Sequence, residues 1–363
     1  MTIAPARRVA FEVVRRVFED DAYADRVFAN VSTELDERDR ALAQRIAYGT
    51  VQRARTIDHG IEELGGRALR KLDPPVRAAL RISGFQFAWS EAPAHAVADD
   101  AVELVRAAGL ERATKFTNAV VRRLADGFQE LVASLPEGAL KESYPDWVFD
   151  VWVRDWGFEE ALELARAQNA PPPLDDYRGV SRGSRLAAEA VAARPGERVL
   201  DACAAPGNKT MLLVGDVTAV EVNETRARLL AERVPANVRV VNADVREFAE
   251  RSFDRALVDA PCSALGVLNR RPDLRWRARP LPDLQLELLR AAADRLRPGG
   301  TVVYSVCTIN ADENEDVVDA CGLDIVPLGE EWPEFAHPKR PEFLLTTPHR
   351  HATSGFFVAR LAK

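Results

Sequence analysis

The 363 residues carry a formal charge of −7, with 47% hydrophobic and 29% charged residues, a globular rather than disordered or fibrous composition. No apolar run approaches the ~20 residues of a membrane span, the N-terminal stretch has charges inside its apolar pattern and is no secretory signal, and four cysteines in this length make no disulfide scaffold. Two or three domains in the cytoplasm are therefore expected, and the acidic balance leaves any nucleic-acid contact to a local basic patch.

Residues 1 to 130 read as all helix. Val9, Val13, Val14, Val17 and Phe18 recur at helical spacing, as do Ala43, Ile46, Ala47 and Val51 in a helix from Glu37. Asp73-Pro74-Pro75 opens a third, with Asp as cap and proline in the first turn; its body, VRAALRISGFQFAW, is apolar enough to sit centrally. Two more are expected over 94–108, ended by Gly109, and 111–125, ended by Gly127. Short loops between such helices give a bundle. His59 and His95 are isolated and read as packing or surface residues.

Residues 131 to 196 read as a connector. Tyr144-Pro145-Asp146-Trp147 opens a helix, 158–168 forms another, and Pro171-Pro172-Pro173 ends helical structure. Residues 174–184 are polar and irregular, and a helix over 185–193 leads to the turn Pro195-Gly196.

From Glu197 strands alternate with helices. The strands are expected over 198–201, 217–222, 238–242, 255–260 and 301–307, with helices over 225–234 and 284–296, and two further strands over 342–346 and 355–361. This order predicts a doubly wound, Rossmann-like α/β sheet with an antiparallel edge, whose ligands sit beyond the C-terminal strand ends. The first strand runs into Cys203-Ala204-Ala205-Pro206-Gly207-Asn208-Lys209-Thr210, a turn of small residues leading to an expected helix start. A cofactor can approach such a backbone closely, and free N–H groups of the following helix would face it.

The other strand ends bring chemistry to the same edge. Glu221 suits ribose hydroxyls, Asp244 suits an adenine amino group, and Asp259-Ala260-Pro261-Cys262-Ser263 and Cys307 put two thiols beside carboxylates. The G-x-G-x-x-G spacing of nicotinamide enzymes is absent, and no CxxC or histidine set supports a metal. Arg270, Arg271, Arg275, Arg277 and Arg279 surround Trp276 directly after the Cys262 motif; a bare charge run is usually a solvated loop, but this position favours phosphate contacts.

Read together, DACAAPGNKT, AVEVNETR, NADVREF, VDAPCSALGVLNRRPDLRW, PGGTVVYSVCT, DENED and SGFFVARL resemble the Sun/RsmB family of S-adenosylmethionine-dependent ribosomal RNA cytosine-5 methyltransferases. Residues 5–125, with Asn118-Ala119-Val120-Val121-Arg122 as the clearest motif, resemble the NusB-like RNA-binding domain of the same architecture. The resemblance implies a NusB-like domain over 1–130, a connector over 131–196 and a class I methyltransferase domain over 197–363. It implies S-adenosylmethionine as cofactor, held by Cys203, Ala204, Ala205, Pro206, Gly207, Asn208, Lys209, Glu221, Asp244 and Asp259. Cys307 is then the thiol that adds to cytosine, Cys262 assists product release, and Asp259 meets the cytosine N3 edge. Cytosine-5 DNA methyltransferases use the cysteine of the Pro-Cys turn, which makes Cys262 the rival nucleophile. Arg7, Arg8, Arg122 and Arg123 become candidate phosphate contacts. The implied partner is small-subunit ribosomal RNA, with no membrane and no metal, for a monomer.

The sequence departs from that family at several points. Asn208 stands where the family has glycine, Glu221 where it has aspartate, and Val306 and Thr308 flank Cys307 in place of threonine and serine. Ala264 replaces the glycine after Pro-Cys-Ser. Arg198 follows Pro173 by only 25 residues, so the family's RNA-binding subdomain is shortened, with Ser181-Arg182-Gly183-Ser184 at best a relic of it. The alternative expectation is an RNA- or ribosome-binding assembly protein with an attenuated methyltransferase domain.

Overall fold

The computed structural model describes residues 3–172 and 180–363. Residues 174–179 of the irregular segment, and Pro173, lie outside the described residues. The chain forms two compact units, one of residues 1–150 with 271–277, the other of residues 151–270 with 278–363. The residues set out as a connector therefore divide at Asp150, and a seven-residue piece from the second half belongs to the first unit.

The first unit is helical. Its principal helices are Pro5–Glu19, Ala24–Val31, Glu37–Gln52, Ala54–Gly65, Pro74–Trp89, Ala94–Ala107 and Thr114–Ser134. Pro74–Trp89 is the central one, with Val76, Leu80, Ile82 and Phe85 all buried. Asp73 stands at its N-cap position but makes no side-chain capping bond there, whereas Asp36 caps Glu37–Gln52 through the N–H of Asp39. Gly127 does not end its helix. The chain continues to Ser134 because Phe128 is fully buried, its ring set so close to Gly60 that a Cβ there would lie 2.2 Å from it. Losing that burial would cost about 3–5 kcal/mol, more than the ~1 kcal/mol penalty of a mid-helix glycine.

The arginine cluster is where the structure overturns the phosphate reading. Arg275 is fully buried in the helical unit, and its guanidinium donates to the carbonyls of Gln52 and Ser143 at 2.9 and 3.2 Å, over the Tyr144 ring. Trp276 Nε1 donates to Val51 O at 2.7 Å, and Arg277 to the carbonyls of Asp21 and Ala22 at 3.0 and 2.9 Å. Arg271 lies 3.5 Å from Asp25. Gln52 and Val51 end a helix and have no i+4 partner for their C=O groups. A planar, multi-donor cation is suited to such carbonyls, so these side chains are spent on helix ends; of the five arginines, Arg279 alone is exposed. Arg7 is similarly engaged, with Asp100 at 2.8 Å and Gln86 at 2.7 Å.

The second unit carries an eight-stranded sheet of β1 (Arg198–Asp201), β2 (Asp216–Glu221), β3 (Arg239–Asn242), β4 (Phe253–Asp259), β5 (Leu296–Val306), β6 (Asp324–Val326), β7 (Leu344–Thr346) and β8 (Phe356–Ala362). The order is β3-β2-β1-β4-β5-β8-β6, with β7 also on β8. β1 to β5 pair in parallel, and β8 runs antiparallel to β5, β6 and β7. Strands buried on both faces read as unbroken apolar runs. Leu200, Val258, Tyr304 and Phe357 pack toward Leu289 of helix Pro282–Asp294, while Val199, Leu257, Val303 and Val358 pack toward Leu186 of helix Arg182–Glu189. Ser181 caps the latter helix, its hydroxyl accepting from Ser184 N.

One expected element is missing. The turn after β1 leads into a three-residue 3₁₀ turn, Thr210–Leu212, and not an α-helix. Only six residues separate Lys209 from β2, under two turns of helix at 3.6 residues each. The idea of helix N–H groups facing a cofactor here is therefore withdrawn.

Candidate active site

The C-terminal ends of β1, β2, β4 and β5 surround a cavity of about 360 Å³, within the usual range for small-ligand sites. Its lining includes Cys203, Ala205, Glu221, Asp244, Asp259, Cys262 and Cys307, together with Arg226, Arg246 and Leu288. Ala204, Pro206, Gly207, Asn208 and Lys209 do not line it; they form the turn behind. Gly207 has φ +95° and a Cβ there would lie 2.8 Å from Leu230 Cδ1, so glycine is required twice over. Asn208, where the family has glycine, does not take a left-handed backbone; Gly207 before it does. Ala264 instead carries that conformation, at φ 59°.

The carboxylates are set differently from one another. Asp259 is oriented from both sides, Lys209 Nζ reaching its Oδ2 at 2.7 Å and Ser305 Oγ donating to Oδ1 at 2.9 Å. Lys209 is buried against the Phe356 ring. Glu221 is buried, accepts from Asn223 N at 3.0 Å and has Arg226 3.5 Å from its other oxygen. Asp244 pairs with Arg246 at 2.6 Å, and that hydrogen bond holds its carboxyl below the ordinary range. An adenine amino group at Asp244 must share that acceptor.

The two thiols meet. Cys262 Sγ and Cys307 Sγ are 3.4 Å apart. Cys262 is raised well above an ordinary thiol, first by its hydrogen bond to Cys307, then by burial and by the negative charges of Cys307 and Glu313. Burial, with Asp201, Asp259 and Glu221 nearby, also pushes Cys203 up and keeps it a thiol.

Sequence reasoning missed how the cysteine turns are tied together. Glu313, noticed only as part of an acidic run, is fully buried beneath them. Its Oε1 accepts from Ser263 N at 3.0 Å, Leu281 N at 3.1 Å and Gln285 Nε2 at 2.8 Å, and its Oε2 from Asn310 Nδ2 at 2.8 Å and Ser263 Oγ. Asn310-x-x-Glu313 at the start of a turn was the available signal, since Asn310 also caps the Glu313 N–H at 2.9 Å. Among the described residues no group of three or more His, Cys, Asp or Glu side chains could hold a metal, and no helix is long and apolar enough to cross a membrane.

A family model described as 16S rRNA methyltransferase RsmB/F matches residues 188–362, and a NusB family model matches residues 4–126. A putative methyltransferase of Mycobacterium tuberculosis is 31% identical, over 99% of this chain and 96% of that protein. The chain belongs to the RsmB/F family. A probable ribosomal RNA small subunit methyltransferase B of Synechocystis is 28% identical over 99% of both chains. That alignment runs over 442 positions against 363 residues here, leaving at least 79 positions of the relative without a counterpart. The crystal structure of PH0851 shares the fold, at a TM-score of 0.78 and 23% identity over the whole of both chains. A methyltransferase homolog from Pyrococcus horikoshii matches at a TM-score of 0.50 and 25% identity, covering 62% of this chain and 97% of that one.

Proposed function

We propose that this protein transfers a methyl group from S-adenosylmethionine to carbon 5 of a cytosine in small-subunit ribosomal RNA. The observation that carries the reading is the pair of sulfurs 3.4 Å apart in a carboxylate-lined cavity at the strand ends. The family membership supports the substrate class.

The donor set suits such a cofactor. The Cys203–Lys209 turn offers backbone with small side chains, Glu221 an acceptor for ribose hydroxyls, and Asp244 an acceptor for an amino group. When bound, S-adenosylmethionine supplies an electrophilic methyl group. Carbon 5 of cytosine is a poor nucleophile until a soft thiolate adds to carbon 6, and the family resemblance assigns that thiolate to Cys307. Asp259, fixed by Lys209 and Ser305, faces the N3 edge of a base that must leave its stack to enter. When water takes the C5 proton and the C6–S bond breaks, the S–H of Cys262 is placed to donate a hydrogen bond to the departing Cys307 thiolate.

The test is methyl transfer from labelled S-adenosylmethionine to small-subunit ribosomal RNA, with the product digested and the nucleosides separated. Wild type should yield 5-methylcytidine, and Cys307→Ser should lose on the order of 10⁴-fold in rate. Cys262→Ala should accumulate a covalent RNA–protein adduct that Cys307→Ser cannot form. Adduct formation in the reverse pattern would make Cys262 the nucleophile. Wild type that binds the cofactor but methylates no RNA would leave the assembly-protein alternative.

A further inference from the structure

Two reactive sulfurs on different strand ends need something that fixes their separation. The Cys262 turn follows β4 and Cys307 follows β5, so each could shift with its own loop. Backbone pairing alone controls them loosely, since Ala260 N to Ser305 O at 3.0 Å precedes both cysteines and Gly266 N to Cys307 O at 3.0 Å follows the first.

We propose that Glu313 is a positioning residue that clamps the Cys262 and Cys307 turns at reacting distance; this rests on the cysteine chemistry proposed above. One carboxylate gathers donors from three separate segments. Ser263, next to Cys262, gives both its N–H and its hydroxyl; Leu281 N and Gln285 come from the helix that packs on the sheet; Asn310 comes from the turn after Cys307. The clamp is cross-braced. Ser263 Oγ lies 2.8 Å from Thr308 Oγ1, Gln285 Nε2 also donates to Pro261 O at 2.9 Å, and Tyr304 OH donates to the Glu313 carbonyl at 2.7 Å.

Its chemistry argues for more than packing. Every donor is neutral, so hydrogen bonds alone offset the cost of burying the carboxylate. A glutamine of the same shape has one acceptor oxygen and would set an NH₂ against donors on one side. Only a carboxylate satisfies all five. The negative charge also helps raise the Cys262 thiol.

The experiment uses the full chain and two readouts. Phenylarsine oxide captures two thiols held close together, condensing with both and releasing water, and needs neither RNA nor cofactor. Wild type should be captured, and Cys307→Ser should not. In Glu313→Gln, capture should slow and kcat for methyl transfer should fall about 100-fold, as for a misplacement on the order of 1 Å. The KM for S-adenosylmethionine should stay within about twofold, because the binding turn is not touched. Asn310→Ala removes one donor and keeps the carboxylate; it should show a smaller loss in both readouts, and serves if Glu313→Gln does not fold. Capture and kcat within about threefold of wild type in a folded Glu313→Gln would overturn the inference. Wild type that is captured in a Glu313-dependent way yet makes no 5-methylcytidine would keep Glu313 as the clamp and sink the function proposed above.

Discussion

Two carboxylates are buried beneath the strand ends, and the protein treats them differently. Asp201 ends β1 under the Cys203–Lys209 turn, where Thr210 Oγ1 donates to its Oδ2 at 2.7 Å and its Oδ1 has no hydrogen-bond partner among the described residues. Burial pushes its carboxyl up to about 7, the Thr210 bond offsetting only part of this and the Asp259 charge adding to it. Glu313, under the thiols, is as deeply buried but receives five donors. Burial with few donors drives a carboxyl toward its neutral form. The fold thus gathers donors around one carboxylate under the thiols and leaves a titrating group behind the Cys203–Lys209 turn.

The largest effect that could break this comparison is the pH dependence of stability. Asp201 binds its proton more tightly in the folded state than in the unfolded chain, where its pKa is near 3.9. Its contribution is therefore full below about pH 4 and is lost as the pH rises through about 7. Asp201→Asn, a permanent mimic of the neutral form, should match wild type near pH 4 and exceed it at pH 8 by at most about 4 kcal/mol. Denaturant unfolding of the two proteins at both pH values checks it. Parallel pH profiles would show that Asp201 stays charged.

A buried charge of opposite sign sharpens the comparison. Arg275 is pushed down to about 10 by burial, and it serves the helical unit through backbone carbonyls. Arg275→Met leaves carbonyls of Gln52 and Ser143 without this donor and should cost about 3 kcal/mol of stability. Thermal melts should show the loss, while phenylarsine oxide capture below the transition stays at the wild-type rate. Slower capture by the folded variant would refute a purely structural role. Lys209→Met is the converse case. It strips the cation from Asp259 inside the cavity, and should lower kcat about 100-fold, equivalent to about 2.7 kcal/mol, through lost orientation. A kcat unchanged in that variant would place the pair outside the chemistry.

These residues also show what the sequence could and could not reveal. The parallel strands were legible because short, largely apolar runs such as Val217–Val220 and Ala256–Val258 are bounded by charged residues, Asp216 and Glu221 on the first and Arg255 and Asp259 on the second. β6 escaped, being only three residues long. Gly127 misled because a helix-stop signal is local, whereas the burial of Phe128 that overrides it depends on Gly60, far away in the chain. The strand-end thiols and carboxylates could be placed on one edge from topology alone. The partners could not: Arg275 looked like a phosphate ligand until the carbonyls of a helix end met it, and Glu313 was only one letter of the DENED motif. Charge in a sequence carries no mark of burial.

The smallest effect concerns the turn between those two outcomes. Ala264 holds φ 59° directly after Cys262-Ser263, where its Cβ crowds the backbone and the left-handed conformation costs about 1–2 kcal/mol. Ala264→Gly removes that strain but adds backbone freedom to the unfolded chain, worth about 0.4–1 kcal/mol in the other direction. The net gain in stability should be at most about 1.6 kcal/mol, a rise of a few degrees in Tm. If the Glu313 clamp alone sets the thiol separation, the glycine variant should be captured by phenylarsine oxide as fast as wild type. Slower capture would mean that the strained alanine also stiffens the Cys262 turn, so that the turn and the carboxylate share the work of holding the sulfurs together.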